Sequence, residues 1–161
     1  MTNPIQAKID LIKSNENDYF VAELETGYVV LGEWCYFNGY TLFLCKETVA
    51  ELHELDWDFR VTHLQEMSLV AEAVCKTFKP RKLNYELLGN QCPHIHWHFF
   101  PRYGTDEMPR ASIWEISESI RQAEALKLEG TELKLMKREL LASLESLEKL
   151  KIISKFETGS I

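Results

Sequence analysis

The stretch Cys92-Pro93-His94-Ile95-His96-Trp97-His98-Phe99-Phe100-Pro101-Arg102 holds three of the chain's five histidines, at every second position, with apolar residues between them. That is the period of an extended strand, whose successive side chains point to opposite faces. His94, His96 and His98 then share one face, and Ile95, Trp97 and Phe99 share another that is apolar enough for a core. Three imidazoles placed together admit three readings. The first is a half-exposed strand that happens to carry histidine. The second is a metal site, because neutral imidazole is the commonest metal ligand and a His-x-His pair can chelate zinc. The outer two backbones of a regular strand lie about 13 Å apart, at about 3.3 Å per residue, so one metal takes two of the three but not all. The third is nucleophilic catalysis, in which the middle imidazole attacks and its neighbours hold the charged group under attack.

With its apolar spacers, His94-Ile95-His96-Trp97-His98-Phe99-Phe100 resembles the signature of the histidine triad (HIT) superfamily, His-x-His-x-His followed by two hydrophobic residues. The resemblance extends upstream through Leu83 to Gln91 and downstream through Pro101-Arg102-Tyr103 to Ile113-Trp114, and is greatest to bacterial proteins related to diadenosine polyphosphate hydrolases. It implies an α+β fold: a five-stranded antiparallel sheet with flanking helices over residues 1–114, followed by a C-terminal helical extension over 115–161. It also implies a two-fold homodimer and a small nucleotide substrate.

The chemistry that the resemblance implies is cleavage at the α-phosphate through a nucleotidyl-His96 intermediate, which water then releases as a nucleoside monophosphate. His98 would donate to the α-phosphate or bridging oxygen, and His94 would orient the site. A backbone carbonyl of the triad strand is expected to hold His96 in the attacking tautomer. Gln91, Asn90 and Asn84 are candidates to bind the leaving group and phosphate oxygens, although turn chemistry alone also explains Gly89-Asn90. Glu33, or Gly32 beside it, matches the place where relatives hold ribose hydroxyls, and Trp34, Tyr36 and Phe37 could line the nucleoside pocket or serve only as packing. The protein itself requires no cofactor, and a magnesium–nucleotide complex is one form its substrate can take. Several family branches carry a fourth histidine after a glycine where this chain has Gly39-Tyr40. Tyrosine donates a hydrogen bond but is not a readily protonated acid near neutral pH. Dinucleoside polyphosphates, nucleoside phosphoramidates and acyl or sulfate adenylates therefore stay open as substrates. Two other functions also stay open, a nucleotide-binding regulatory module and a metal-binding protein using His94 and His96.

Length and composition bound these readings. A chain of 161 residues, 45% hydrophobic and 27% charged, suits one ordinary globular domain. Its formal net charge of −7 argues against broad nucleic-acid binding, which is driven by phosphate neutralisation. Lys79, Arg81, Lys82, Arg102 and Arg110 flank the triad in sequence and could supply a local site for a small anion, with Arg102 the strongest candidate. Solvated surface charge is the alternative. Cys35, Cys45, Cys75 and Cys92 show no Cys-x-x-Cys spacing and read as reduced. No stretch approaches the ~18 apolar residues of a membrane span, and Met1 to Lys13 lacks a signal core, so a cytoplasmic protein is expected.

The positioning elements follow from local pattern. Asn3-Pro4 caps a short helix with Ile5, Ile9 and Ile12 on one face. Tyr19–Glu25 and Tyr28–Leu31 read as a hairpin about Thr26-Gly27, and Tyr40–Cys45 as a third, central strand. Glu47–Leu55 reads as a short helix. A longer one follows from the Asp56 cap to Phe78, with Leu64, Met67, Ala71, Val74 and Phe78 on the buried face, ending at Lys79-Pro80. Leu83–Leu87 gives a fourth strand and the triad a fifth. His53 and His63 read as surface polar residues. Beyond Trp114, nine acidic and eight basic residues between Glu115 and Glu157, with leucines at helical spacing, predict helices over Glu115–Leu128 and Glu132–Ile152. The second would bury Leu133, Met136, Leu140, Leu144 and Leu147 and pair Glu145 with Lys149. Thr158–Ile161 is expected to fray.

Overall fold

A computed structural model describes residues 3–157, so the expectation for Thr158–Ile161 lies outside the described residues. The chain begins with helix α1 (Pro4–Lys13), where the Asn3 carboxamide oxygen accepts from the Ile5 and Gln6 amides and Pro4 takes the first turn. Strands β1 (Phe20–Glu23), β2 (Gly27–Leu31) and β3 (Thr41–Cys45) follow, then helix α2 (Trp57–Phe78), β4 (Lys82–Glu86) and the triad strand β5 (His96–Arg102). A short α3 (Glu118–Arg121), the longer α4 (Gly130–Glu145) and a two-residue β6 (Ser154–Lys155) complete the chain. The strands form one antiparallel sheet in the order β4-β5-β3-β2-β1-β6. Six strands stand where five were expected, within the same α+β class.

The two faces of the sheet bury different things. Val29, Leu31, Phe43 and Phe99 point towards α2 and α4 and form the main core with Val70, Val74, Leu140 and Leu144. Tyr28, Val30, Leu42 and Leu44 point the other way and pack on Ile5, Ile9 and Ile12 of α1. Period-two alternation along β2 and β3 produces both sets. It also decides where the imidazoles go, because Leu42 pairs with His98 and Leu44 with His96 across β3 and β5. The triad thus emerges on the α1 face, while Trp97 and Phe99 anchor β5 in the opposite core.

Several expectations need correction. Residues 47–55 form only one 3-10 turn, Leu52–Glu54. The Val49 carbonyl accepts from the Ile95 amide at 3.0 Å, which takes this stretch out of a helix and lays it beside the triad. Residues 115–128 are not one helix either. Ser112 starts a 3-10 turn with Glu115 bonded back to its amide, α3 is a single turn, and Leu126 and Leu128 then pair with Cys35 and Glu33. The last helix stops at Glu145, and Ile153 and Phe156 bond to Glu23 and Val21 on the edge of β1. β-branched Ile152 and Ile153 suit that extended path. Glu145 accordingly pairs with Lys155 at 2.5 Å rather than with Lys149. The leucine seam of α4 is buried as expected, against α2 and β1 of its own chain.

His63 is the largest departure. It is fully buried on α2 rather than exposed, and Glu66, one turn on, is buried with it. His53 is exposed. All four cysteines are free thiols, Cys45 and Cys92 buried and the other two half-buried. Among the described residues no helix is long and apolar enough to cross a membrane.

Candidate active site

The triad is less regular than its sequence suggests. β5 starts at His96, and His94 lies in the turn before it, its amide bonded to the Cys92 carbonyl at 2.8 Å. Pro93, which has no N–H to give a ladder, precedes that bend. His94 is 1% exposed and points into the protein. Its Nε2 lies 2.8 Å from the Cys45 carbonyl, which only accepts, so Nε2 carries the proton and the Nδ1 lone pair accepts from the Asn3 carboxamide at 3.2 Å. Both ring nitrogens are spent. Burial pushes the His94 pKa down, only partly offset by its bond to Cys45.

His96 is held differently. Its Nδ1 lies 2.6 Å from the carbonyl of His94, which comes from the turn just before β5 rather than from the strand itself, where it was expected. That oxygen fixes the proton on Nδ1 and leaves a lone pair on Nε2, which has no hydrogen-bond partner among the described residues. The His98 ring stands 4.8 Å from that of His96. Its Nδ1 is 2.6 Å from the Tyr40 hydroxyl, so the tyrosine that stands in the fourth-histidine position reaches the triad directly. Burial pushes the His98 pKa to about 4 and that of Tyr40 upward, so both are neutral near pH 7. The Tyr40, His98 and Phe100 rings lie near-parallel beside one another, with centroids 4.5 Å apart for Tyr40 and Phe100, 5.6 Å for His98 and Phe100 and 6.0 Å for Tyr40 and His98. Glycine at position 32 makes room for this cluster, since a Cβ there would overlap the Tyr40 ring.

His96 and His98 line a cleft of about 370 Å³ between α1 and the sheet, together with Tyr19, Leu31, Glu33 and Gln91. Glu33 is paired with Lys8 from α1 on its wall. A second recess of about 230 Å³ shares Trp34, Tyr40, Gln91, His98 and Gln122 with the first and continues past His98 towards Trp114 and Arg121. The remaining expected residues stand elsewhere. Asn90 is exposed on its turn and lines neither cavity. Arg102 is 4% exposed and spends its guanidinium on Asp106, Asn84 and the carbonyls of Ala111 and Met108, at 2.8 to 3.3 Å. It fastens the loop after β5, and Asn84 is one of its acceptors. Both line a separate groove of about 550 Å³ beside β4 that contains no triad residue.

Sequence reasoning did not single out Asn3, Lys8, Arg121 or Gln122. The capping signal at Asn3 was legible, but its second bond to a residue 91 positions away was not. Nothing local marks Lys8 or Arg121. Among the described residues no cluster of three or more His, Cys, Asp or Glu side chains is placed to hold a metal ion.

Known proteins share this fold. The HIT domain family model matches residues 13–105, more than half of the chain. A histidine triad protein from Bradyrhizobium japonicum superposes with a TM-score of 0.68 at 21% identity, covering 81% of this chain and 94% of that one. A hypothetical histidine triad nucleotide-binding protein from Sulfolobus tokodaii gives 0.67 at 21% identity, over 89% and 94%. A zinc-bound histidine triad family protein from Mycobacterium smegmatis gives 0.59 at 17% identity, over 85% and 91%. No curated protein matches the sequence. With the signature running into β5, the shared fold and the family match over β1 to β5 and α2, this chain belongs to the HIT family.

Proposed function

We propose that the protein is a nucleotide hydrolase or transferase that cleaves at an α-phosphate through His96. The observation that carries this reading is the bond from His96 Nδ1 to the His94 carbonyl, which leaves Nε2 nucleophilic on the wall of the cleft. Nε2 attacks phosphorus, the bond from phosphorus to the leaving oxygen or nitrogen breaks, and a nucleotidyl-His96 forms. With Tyr40 donating to His98 Nδ1, the His98 proton sits on Nε2 and can hydrogen-bond the phosphate or the departing atom. Water then attacks phosphorus, the bond to His96 breaks, and a nucleoside monophosphate leaves. Two in-line displacements retain configuration at phosphorus.

The 370 Å³ cleft takes the nucleoside whose α-phosphate is attacked, with Glu33 and Lys8 beside its sugar. The structural relative named as nucleotide-binding supports that class of ligand. A metal-binding role through His94 and His96 is disfavoured because both His94 nitrogens are already bonded. Homodimerisation belongs to this reading: β4 closes one edge of the sheet and leaves Tyr85 exposed, a strand edge that a second chain can extend. Light scattering on the eluting protein measures it.

The test is turnover of diadenosine tetraphosphate and adenosine phosphoramidate by wild type and His96→Ala, with and without chelator. Adenylate release that survives chelation with the phosphoramidate and disappears in His96→Ala is expected. His94→Ala and His98→Ala should retain weaker activity. Wild-type rates in His96→Ala, or inversion at a chiral α-phosphate, would overturn the assignment.

A further inference from the structure

The recess beyond His98 is built largely by residues outside the stretch that matches the family model. Ile113, Trp114, Glu118, Arg121 and Gln122 all come from the segment after residue 105. This segment is not held loosely. Ile113 and Ile116 are buried against Phe37 and Phe100, and Leu126 and Leu128 are bonded to the Cys35–Glu33 backbone. It therefore presents its polar side chains from a fixed frame.

Three features of the recess point to a ligand. The Arg121 guanidinium donates through Nε to the Ile116 carbonyl at 3.0 Å and lies 5.1 Å over the Trp114 ring. Its two terminal nitrogens have no hydrogen-bond partner among the described residues, so a positioned cation with four unspent donors faces the space next to His98. Trp34 lines both the recess and the main cleft, and its indole nitrogen is buried without an acceptor. The Trp114 indole is held edge-on by the Glu86 carboxylate at 2.7 Å and is about half exposed, leaving ring surface free. Glu118, exposed on the same rim, is its one acidic lining residue among those described.

The recess, at about 230 Å³, is smaller than the roughly 300 Å³ at which pockets for a whole drug-sized ligand begin. It suits a part of a ligand whose remainder occupies the adjoining cleft. His96 lines only the cleft and His98 lines both. An in-line attack by His96 expels the leaving group opposite Nε2, and the recess continues the cleft past His98.

Resting on the reading of His96 as nucleophile, we infer that this recess is a leaving-group subsite for a nucleoside phosphate. Arg121 binds its phosphate oxygens, and the Trp114 and Trp34 rings hold its base. The residues after 105 thereby favour a substrate with a nucleotide on both sides of the broken bond over one that expels ammonia or a small acid. Guanidinium bonds to phosphate are charge-assisted and directional, and stacking on an indole tolerates either purine or pyrimidine.

Kinetics and binding test it together. The ratio of kcat/KM for diadenosine tetraphosphate to that for adenosine phosphoramidate should fall about 10- to 100-fold in Arg121→Gln, and about 3- to 10-fold in Trp114→Leu. Calorimetry with a methylene-bridged, uncleavable diadenosine tetraphosphate and with adenosine monophosphate should show the same variants losing affinity for the first much more than for the second. Unchanged ratios in both experiments would overturn the subsite. If wild type turns over neither substrate, the catalytic reading fails, and calorimetry alone then decides whether the recess binds the second nucleotide.

Discussion

The Trp97 indole N–H donates to His63 Nε2 at 3.2 Å, on the face of the sheet opposite the triad imidazoles. Because Nε2 accepts, the His63 proton is on Nδ1, which donates to the Thr26 hydroxyl at 2.9 Å, and that hydroxyl donates to the Glu66 carboxylate. Glu66 also receives the Glu25 and Thr26 amides, at 2.8 and 2.9 Å. The chain of bonds runs in one direction, from the residue between His96 and His98 to a buried anion. It ties β5 to α2 and to the turn between β1 and β2, while Phe43 stacks on the His63 ring at 4.8 Å.

Protonating His63 would set its Nε2–H against the Trp97 N–H. Burial holds its pKa at about 4, below the ordinary 6.5, so the unfolded chain takes up this proton first as pH falls from 7. His63 therefore contributes stability that is complete above about pH 6.5 and is lost as pH falls towards 4. The lowered values of His98 and His94 add in the same direction. Each group can add a slope approaching about 1.4 kcal/mol per pH unit within its window. Urea unfolding between pH 4.5 and 7.5 should show a flatter dependence for His63→Phe than for wild type, with stability lower by about 1–3 kcal/mol at pH 7 from the orphaned Trp97 N–H. An equally steep profile in the variant would show that another group titrates.

Tyr40→Phe removes one hydrogen bond from the triad and keeps the ring that stacks on Phe100. The His98 imidazole then loses the group that sets its tautomer. A fall in kcat of about 5- to 30-fold, with KM changed less than threefold, is expected from steady-state kinetics. A melting temperature within a few degrees of wild type would accompany it. A larger loss in KM than in kcat would mean that Tyr40 acts on nucleotide binding instead.

Asn3 has two separable tasks, and its variants divide them. Its oxygen caps α1 and its nitrogen donates to His94. Asn3→Ala loses both and should cost about 0.5–2 kcal/mol of stability together with part of the activity. Asn3→Asp keeps a good cap but offers His94 Nδ1 an acceptor in place of a donor. It should therefore retain most of the stability while losing activity comparably, as read by thermal unfolding and turnover on the same preparations. Equal activity in Asn3→Asp and wild type would separate His94 from the control of His96.

Much of the fold was legible because its signals are local. The Asn3-Pro4 cap, the alternation in β2, β3 and β5 and the leucine seam of α4 each lie within a few residues, and the structure places each where its period requires. The His-x-His-x-His spacing likewise determined that His96 and His98 share a face and that Trp97 is turned away, since that follows from backbone geometry alone. Where local preference competed with a distant partner, the partner won. Residues 115–128 have helical composition, yet their backbone pairs with 33–35, and residues 146–152 leave the expected helix so that Ile153 and Phe156 bond an open strand edge. Only the tertiary structure decided that His94 faces inward, that His63 is a core residue and that Arg102 holds a loop. Only it brought Arg121 and Trp114 beside His98. The reason is common to all of these: a polar side chain's role depends on which donors and acceptors it meets when buried, and those partners come from remote parts of the chain that no spacing encodes.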